Sequence, residues 1–423
     1  MVECGPTPAR GPSRRVHILL LHQLFIRPDD PGGTRHFEFC QALVDSGHRV
    51  TIVAGRRSYL TGEVVSRQRR EAVSPGLEII RCGTLAGGQR SFFWRAIGFL
   101  WFTATSLAAG LRLGDIDLVW GTSPPLLQVA SAWAIARLRR VPLVFEVRDL
   151  WPAFAIAAGV LRSPILIRLS EGLERFLYRR ADHLIVNSPG FAPHLRQRGV
   201  ADSKITLVPN GVDPAMFDPA ADGRAFRAYH DLEGRFIVLY AGAHGLSNDL
   251  GVVLEAAKLV HGEGPVVFVL LGDGKEKPSL MRQAEAMGLD NVRFLPPVPK
   301  DDIPQVLAAA DCGLAILKPL RLYATTYPNK VFDYMAAGRP VLLAIDGVIR
   351  QVIEEERAGV AVAPGDPAAL AAGVRRLAAD PAAARRMGER GRSAVERRFD
   401  RGRQAELLEA TFRRVAEQRR GGP

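Results

Sequence analysis

The chain predicts an α/β protein of two doubly wound parallel-sheet domains facing each other across a cleft. Three observations carry this. At 423 residues the chain exceeds what one hydrophobic core normally serves, so two domains are expected. Short Val/Ile/Leu-rich runs alternate with amphipathic segments, the pattern of a parallel sheet covered on both faces. That series breaks once, at a stretch rich in Pro, Gly, Asn and Asp, and then starts again.

In order, residues 16–21, 49–53, 77–81, 117–120, 142–147 and 183–187 read as strands of the first domain. The linker falls near residues 208–222, within ITLVPNGVDPAMFDPAADG. Residues 236–240, 266–271, 292–295, 312–317 and 340–344 then supply a second sheet. The domains are expected at 1–212 and 213–399, with a last helix in 400–423 that packs back on the first. A cleft between two such domains is where a ligand is expected.

Composition narrows the classes. A hydrophobic content of 47% marks a folded chain. The four cysteines, Cys4, Cys40, Cys82 and Cys312, lie far apart with no C-x-x-C pair, which fits reduced thiols of a cytoplasmic protein and argues against a disulfide frame or a zinc site. The polar start MVECGPTPARGPSRR does not read as a secretory signal. A net charge of +12 favours an anionic partner, either a membrane surface or an anionic substrate. The Arg-rich C-terminal helices lack interleaved aromatics, so nucleic acid is not expected.

Residues 91–113, SFFWRAIGFLWFTATSLAAGLRL, are about long enough to span a bilayer, but Arg95 interrupts them, and a span here would cut the first sheet in two. An interfacial helix lying on the membrane is the favoured reading, ahead of a buried crossover helix.

Several segments can carry chemistry. After the first strand, Gly32 and Gly33 precede a helix from about residue 34 to 46, so backbone can approach an anion at a helix start. FEVRDLWP ends the fifth strand on the cleft side. It offers Arg148 and Asp149 to a substrate phosphate or hydroxyl and Trp151 as a stacking or packing surface; the plainer reading, held second, is an Arg148–Asp149 ion pair that ties the loop. In the second domain YAGAHGLSNDLG places Gly242 and Gly245 before a helix, and LGDGKEK places Gly272 and Gly274 after the next strand. Asp115-Ile-Asp117 precedes its strand, on the wrong side of the sheet for the cleft, and reads as a turn and not as a metal pair.

The most informative run is YPNKVFDYMAAGRPVL, residues 327–342. Pro328 suits a first helical turn, Thr325, Thr326 or Tyr327 would supply the cap, and Gly338 with Pro340 ends the helix. Helical spacing puts Asn329, Lys330 and Asp333 within one turn. Lys330 and free backbone N–H groups would take phosphate and Asp333 sugar hydroxyls; the plainer reading is a solvated Lys330–Asp333 pair.

PGGTRHFEFCQALVDSGHRVTIV, FEVRDLWP, VPNGVD, YAGAHGLSNDLG, LGDGKEK and YPNKVFDYMAAGRPVL, in this order and over nearly the whole chain, resemble a family 4 glycosyltransferase of the GT-B fold, with two Rossmann-like domains. The nearer resemblance is to the branch that transfers N-acetylfucosamine-type sugars in bacterial surface polysaccharide assembly. It implies a retaining, metal-independent enzyme that needs no cofactor. The donor is a nucleotide diphosphate sugar held by the second domain. The acceptor is expected on the first domain; the apolar segment 91–113 and the branch together favour a polyprenyl-diphosphate-linked saccharide at the cytoplasmic face of the membrane, with a soluble small-molecule acceptor left open. It also implies that Asp333 stands where the family carries an acid on the ribose, and that Lys330, Asn329 and the backbone at Gly242 and Gly33 lie by the diphosphate. Lys330 and Asp149 become the candidate catalytic residues. The chain departs from the pattern at Thr325, where the family's first motif acid would fall, and at Ala243 and Asn248, where many relatives carry an Arg and Lys pair. Competing classes are a nucleotide-sugar epimerase of the same architecture and a non-catalytic binder of anionic lipid; the apolar segment 91–113 speaks against the epimerase.

Overall fold

The computed structural model describes residues 15–57, 64–66, 68–83 and 92–420, with the side chains of 92–96 and 420 left aside. The first sheet is built from β1 (His17–Leu21), β2 (Arg49–Gly55), β3 (Arg70–Ser74), β4 (Leu77–Cys82), β5 (Leu118–Ser123), β6 (Leu143–Val147), β7 (His183–Val186) and β8 (Ile205–Leu207). Its order is β3-β4-β2-β1-β5-β6-β7-β8, and every pair is parallel except β3 with β4. Helices α1 (Arg35–Asp45), α2 (Phe92–Leu111), α3 (Leu126–Arg139), α4 (Ala153–Ala157), α5 (Pro164–Arg180) and α6 (Ala192–Gln197) connect these strands.

The second sheet follows as β9 (Phe236–Ala241), β10 (Val266–Leu271), β11 (Val292–Leu295), β12 (Cys312–Ile316), β13 (Val341–Ala344) and β14 (Gly359–Ala361), wholly parallel in the order β11-β10-β9-β12-β13-β14. Its helices are α7 (Arg224–Tyr229), α8 (Leu250–Leu259), α9 (Lys277–Ala286), α10 (Ile303–Ala309), α11 (Asn329–Ala336), α12 (Val348–Glu355), α13 (Pro367–Ala379) and α14 (Pro381–Ala394). This is the two-domain doubly wound architecture that the sequence predicts.

Period-two alternation splits each strand between two cores. In β1, Leu19 and Leu21 join α2, α3 and α5 on one face, while Ile18 and Leu20 join α1 and the final helix α15 (Arg401–Arg420) on the other. That final helix returns to the first domain through a five-residue π-helical turn at Val395–Phe399. Val212 N–H then donates to Phe399 O, Arg401 N–H to Val212 O, and Phe412 packs edge-on against Trp120.

Segment 91–113 is the crossover between β4 and β5. Its α2 helix buries Phe102 and Ser106 against α3 and leaves Leu100 and Trp101 exposed. The remaining described apolar side chains of this helix are mostly half-buried. No helix among the described residues is long and apolar enough to cross a membrane. Strands β3, β8 and β14 escape the sequence reading because each is short and lies at or beside a sheet edge, with little apolar content to mark it.

Candidate active site

The carboxyl ends of the two sheets face one another, and backbone ties close their rim. Ser188 Oγ donates to Thr325 O at 2.5 Å, Asn210 Nδ2 to Tyr327 O at 2.6 Å, and Lys300 N–H to Pro28 O at 3.1 Å. Phe154 stacks on Tyr323 at 5.4 Å between ring centres. These contacts bring the loop after β1, the loop after β6 and the start of α11 to one cleft.

On the second domain, three glycines build the floor. Gly242, Gly272 and Gly274 all have positive φ, and each lacks room for a Cβ. At Gly242 a Cβ would stand 2.8 Å from Lys330 Nζ; at Gly272 it would collide with Gly242 O, and at Gly274 with His244 O. Lys277 Nζ pins the second loop by donating to Gly272 O at 2.7 Å and Leu295 O at 2.9 Å, while Lys275 is exposed. Gly245 differs: its φ is −109° and its nearest neighbour, Asn248 Nδ2, would be 3.6 Å from a Cβ, so nothing forces glycine there. Gly33 approaches from the first domain, 3.6 Å from Asn329 Nδ2 by the same measure.

Lys330 and Asp333 do not form the pair that their spacing suggests. Lys330 Nζ lies 3.7 Å from the centre of the Tyr240 ring and beside Gly242, so the carboxyl end of β9 receives it. Asp333 Oδ1 is 2.8 Å from Lys300 Nζ, which also lies over Phe217. The reason is reach: the loop after β11 carries a buried ammonium to Asp333, while the Lys330 stem runs along Tyr240. Burial pushes the Lys330 ammonium down to about 7, with Asp333 pulling the other way. Asn329 Oδ1 is buried and has no hydrogen-bond partner.

The rest of the motif is held locally. Helix α11 starts at Asn329, with Pro328 as its extended cap residue and no side-chain cap; Val331 N–H donates to Pro328 O, which leaves the Asn329 and Lys330 N–H groups for a ligand. The hydroxyls of Thr325 and Thr326 donate to Leu322 O and Tyr323 O, so neither caps the helix. The Tyr327 ring turns away from the cleft to pack against Phe332 and Phe399.

On the first domain, Arg148 does not pair with Asp149. Its guanidinium donates to Thr122 Oγ1 at 2.7 Å, Ser123 O and Pro124 O, which fixes it to the loop after β5. Asp149 sits in a crowded recess that raises its carboxyl to about 6 against the pull of Arg148; solvent still reaches the side chain, so the push is at most this large. Trp151 packs partly buried against the first core. Beneath them lies a buried network: Glu146 accepts from His36 Nε2 at 2.7 Å and pairs with Arg35 at 3.0 Å, and Arg35 donates onward to Val208 O and Pro209 O. Burial opposes charge on Glu146, but His36 and Arg35 hold the carboxyl well below its usual range. His22, at the carboxyl end of β1, is buried 4.4 Å from the His36 ring centre with neither ring nitrogen bonded.

Three residues at or beneath the cleft escaped the sequence reading: His22, Lys300 and Glu146. Glu146 carried a signal, an acid inside an otherwise apolar buried strand, LVFEV. Lys300 carried none, because its partner is 33 positions away. Asp117 accepts the His17 N–H at 2.8 Å and Asp115 has φ +50°, which is the turn expected there. Among the described residues no group of three or more His, Cys, Asp or Glu could hold a metal ion.

Comparison with known proteins agrees with this architecture. Residues 32–211 match the glycosyl transferase 4-like domain, and residues 235–380 match the glycosyl transferases group 1 domain. A D-inositol 3-phosphate glycosyltransferase of Salinispora tropica is 32% identical over 446 residues, covering 98% of this chain and 87% of that protein. WcaI of Escherichia coli (strain K12), named for glycosyl transfer in colanic acid biosynthesis, is 26% identical over 352 residues, covering 80% and 86%. Among solved structures, sucrose-phosphate synthase of Thermosynechococcus elongatus superposes with a TM-score of 0.78 at 21% identity, covering 96% of this chain and 100% of that one. Anabaena HepE in complex with UDP-glucose superposes at 0.71 and 18% identity, covering 94% and 99%. With two domain matches in tandem and a relative of this identity along its whole length, the chain belongs to the family 4 glycosyltransferases of the GT-B fold.

Proposed function

We propose that this enzyme transfers a hexosyl or N-acetylhexosaminyl residue from a nucleotide diphosphate sugar to an acceptor hydroxyl in cell-surface polysaccharide assembly, with retention of anomeric configuration. The observation that carries the reading is the meeting of Lys330 Nζ, the Gly242 backbone and the uncapped start of α11 at the cleft, opposite Gly33. A cation of lowered pKa, free N–H groups at a helix start and a close-approach glycine suit a diphosphate. Asp333, oriented by Lys300, is placed for the ribose. The likeness to HepE, solved with UDP-glucose, supports a nucleotide-sugar donor, and the likeness to WcaI supports a surface-polysaccharide role.

In this reading the acceptor oxygen bonds to the anomeric carbon on the face from which the nucleoside diphosphate departs. The bond from that carbon to the diphosphate oxygen breaks, and a diphosphate oxygen takes the acceptor proton. Lys330 and backbone N–H groups meet the charge that grows on the leaving group, so the step uses no protein nucleophile and no metal. Asp149, its carboxyl raised to about 6, is ionised at neutral pH and orients the acceptor hydroxyl. Arg148 contributes its remaining N–H groups to an acceptor diphosphate. A polyprenyl-diphosphate-linked saccharide on the cytoplasmic face of the membrane is the proposed acceptor, with the exposed Leu100 and Trp101 of α2 at the lipid surface. Nucleotide release from uridine, guanosine and thymidine diphosphate sugars, with and without a polyprenyl-diphosphate-linked acceptor, tests this. Acceptor-dependent release supports it; sugar isomerisation without release overturns it in favour of an epimerase.

A further inference from the structure

Helix α5 presents water with a surface that a helix of an isolated soluble domain would bury. Ile165 is 70% exposed and Leu169 64%, and Val160 and Leu166 are exposed beside them. Interleaved with these are Arg162, Arg168, Arg175 and Arg179, all exposed. The acids of the helix face elsewhere: Glu174 is fully buried against His194 at 2.9 Å and Arg198 at 3.3 Å, and Glu171 pairs with Arg198 at 3.4 Å. The outer face therefore carries cations and large apolar side chains without a compensating acid.

Where α5 meets α3, a groove of about 430 Å³ is lined by Arg137, Arg179, Arg180, Lys204 and Arg419 over the Trp133 ring. Asp182 is the single acid in that lining. Leu138 of α3 is exposed nearby, and α2, α3 and α5 all cover the same face of the first sheet. Scattered exposed leucines are ordinary, but clustered ones rimmed by cations mark an interaction site. Apolar side chains among cations alone match an anionic bilayer, whose acyl boundary takes the former and whose phosphates take the guanidinium groups. The N-terminal end of α5, which carries Ile165 and Leu169, follows the cleft residues Arg148 and Asp149 through α4, while the groove lies at the amino ends of β6, β7 and β8.

We propose that the outer face of α5, with the adjoining α3 groove, docks the protein on an anionic lipid bilayer, and that α2 adds only its exposed Leu100 and Trp101. The test is co-sedimentation of the full chain with vesicles of phosphatidylcholine alone or with about 30% phosphatidylglycerol. The wild type is expected to sediment with the anionic vesicles only, and less in high salt. Two double variants, I165S/L169S and R168Q/R175Q, should each lower the partition coefficient about tenfold, while Leu259→Ser, an exposed leucine of the second domain, leaves it unchanged. Wild type that stays in solution with anionic vesicles, or both double variants binding as well as wild type, overturns the proposal. So does a wild-type dimer that both double variants dissolve, which assigns the face to a second copy of the chain. Because the readout is vesicle binding, its failure is separate from failure of the transferase reading, which nucleotide release reports.

Discussion

Lys330 and Asp333 sit one helical turn apart, yet the Lys330 ammonium lies over the Tyr240 ring at 3.7 Å while the Asp333 carboxylate bonds Lys300 at 2.8 Å. Two adjacent positions of α11 are thereby committed to different neighbours. The ammonium is left short of an anion and the carboxylate is held at a fixed angle, which divides the labour between diphosphate and ribose in the proposed site.

Lys330→Ala is expected to lower kcat by about a hundredfold or more and to change donor KM far less, because charge on the diphosphate grows toward the transition state. Steady-state kinetics on purified protein checks this; near-wild-type kcat would remove Lys330 from the chemistry.

Donor affinity should fall as pH rises. Buried Lys330 has its pKa lowered to about 7 in the empty enzyme, and a diphosphate prefers the charged ammonium. Above pH 7 binding must therefore take up a proton, and the dissociation constant of a nucleotide sugar should rise by up to about tenfold per pH unit. Calorimetric titration from pH 6.5 to 8.5 measures this, and a Lys330→Gln variant should lose the slope.

Lys300→Met keeps an apolar stem over Phe217 but leaves Asp333 unpaired. The expected destabilisation is about 2 kcal/mol, less than for a fully buried pair because solvent partly reaches Asp333. Urea unfolding reads it, and donor KM should rise with it.

Gly242→Ala and Gly245→Ala should part company. A methyl at Gly242 meets Lys330 Nζ at 2.8 Å on a left-handed backbone, whereas Gly245 has ordinary φ and open space. Donor binding is expected to weaken at least about tenfold in the first and to stay near wild type in the second. Equal behaviour would place the diphosphate elsewhere.

Acid should unfold the protein well before its carboxylates would suggest. Burial lowers His36, His183 and His244 to about 4 and holds His22 well below its usual value, so the folded chain refuses protons that the unfolded chain accepts from about pH 6.5 downward. Stability is lost across that window, up to about 1.4 kcal/mol per pH unit for each such histidine. Glu146 acts in the same direction at lower pH, since its depressed pKa gives stability that is present above the usual carboxylate range and lost as pH falls through it. Unfolding free energies at pH 7 and 5 check the slope; a flat profile would contradict the buried neutral imidazoles.

Much of the fold was legible because parallel strands buried on both faces leave continuous apolar runs, such as VVFVLL at β10, and the glycine-bearing loops after β9 and β10 follow those runs directly. The candidate site was legible where its parts are contiguous: Gly242, Gly272, Asn329, Lys330 and Asp333 could all be named. Their partners could not. Lys300 meets Asp333 only through tertiary packing, and the Lys330–Asp333 pairing suggested by helix spacing yields to this competing ammonium that local pattern cannot see.

The most direct test of the donor site is thermal unfolding of wild type, Lys330→Ala and Gly242→Val in the presence of uridine, guanosine and thymidine diphosphates. At least one nucleotide should raise the wild-type midpoint and leave both variants unmoved. A wild type indifferent to all three, or variants stabilised as fully as wild type, would contradict a diphosphate seated between Gly242 and the start of α11.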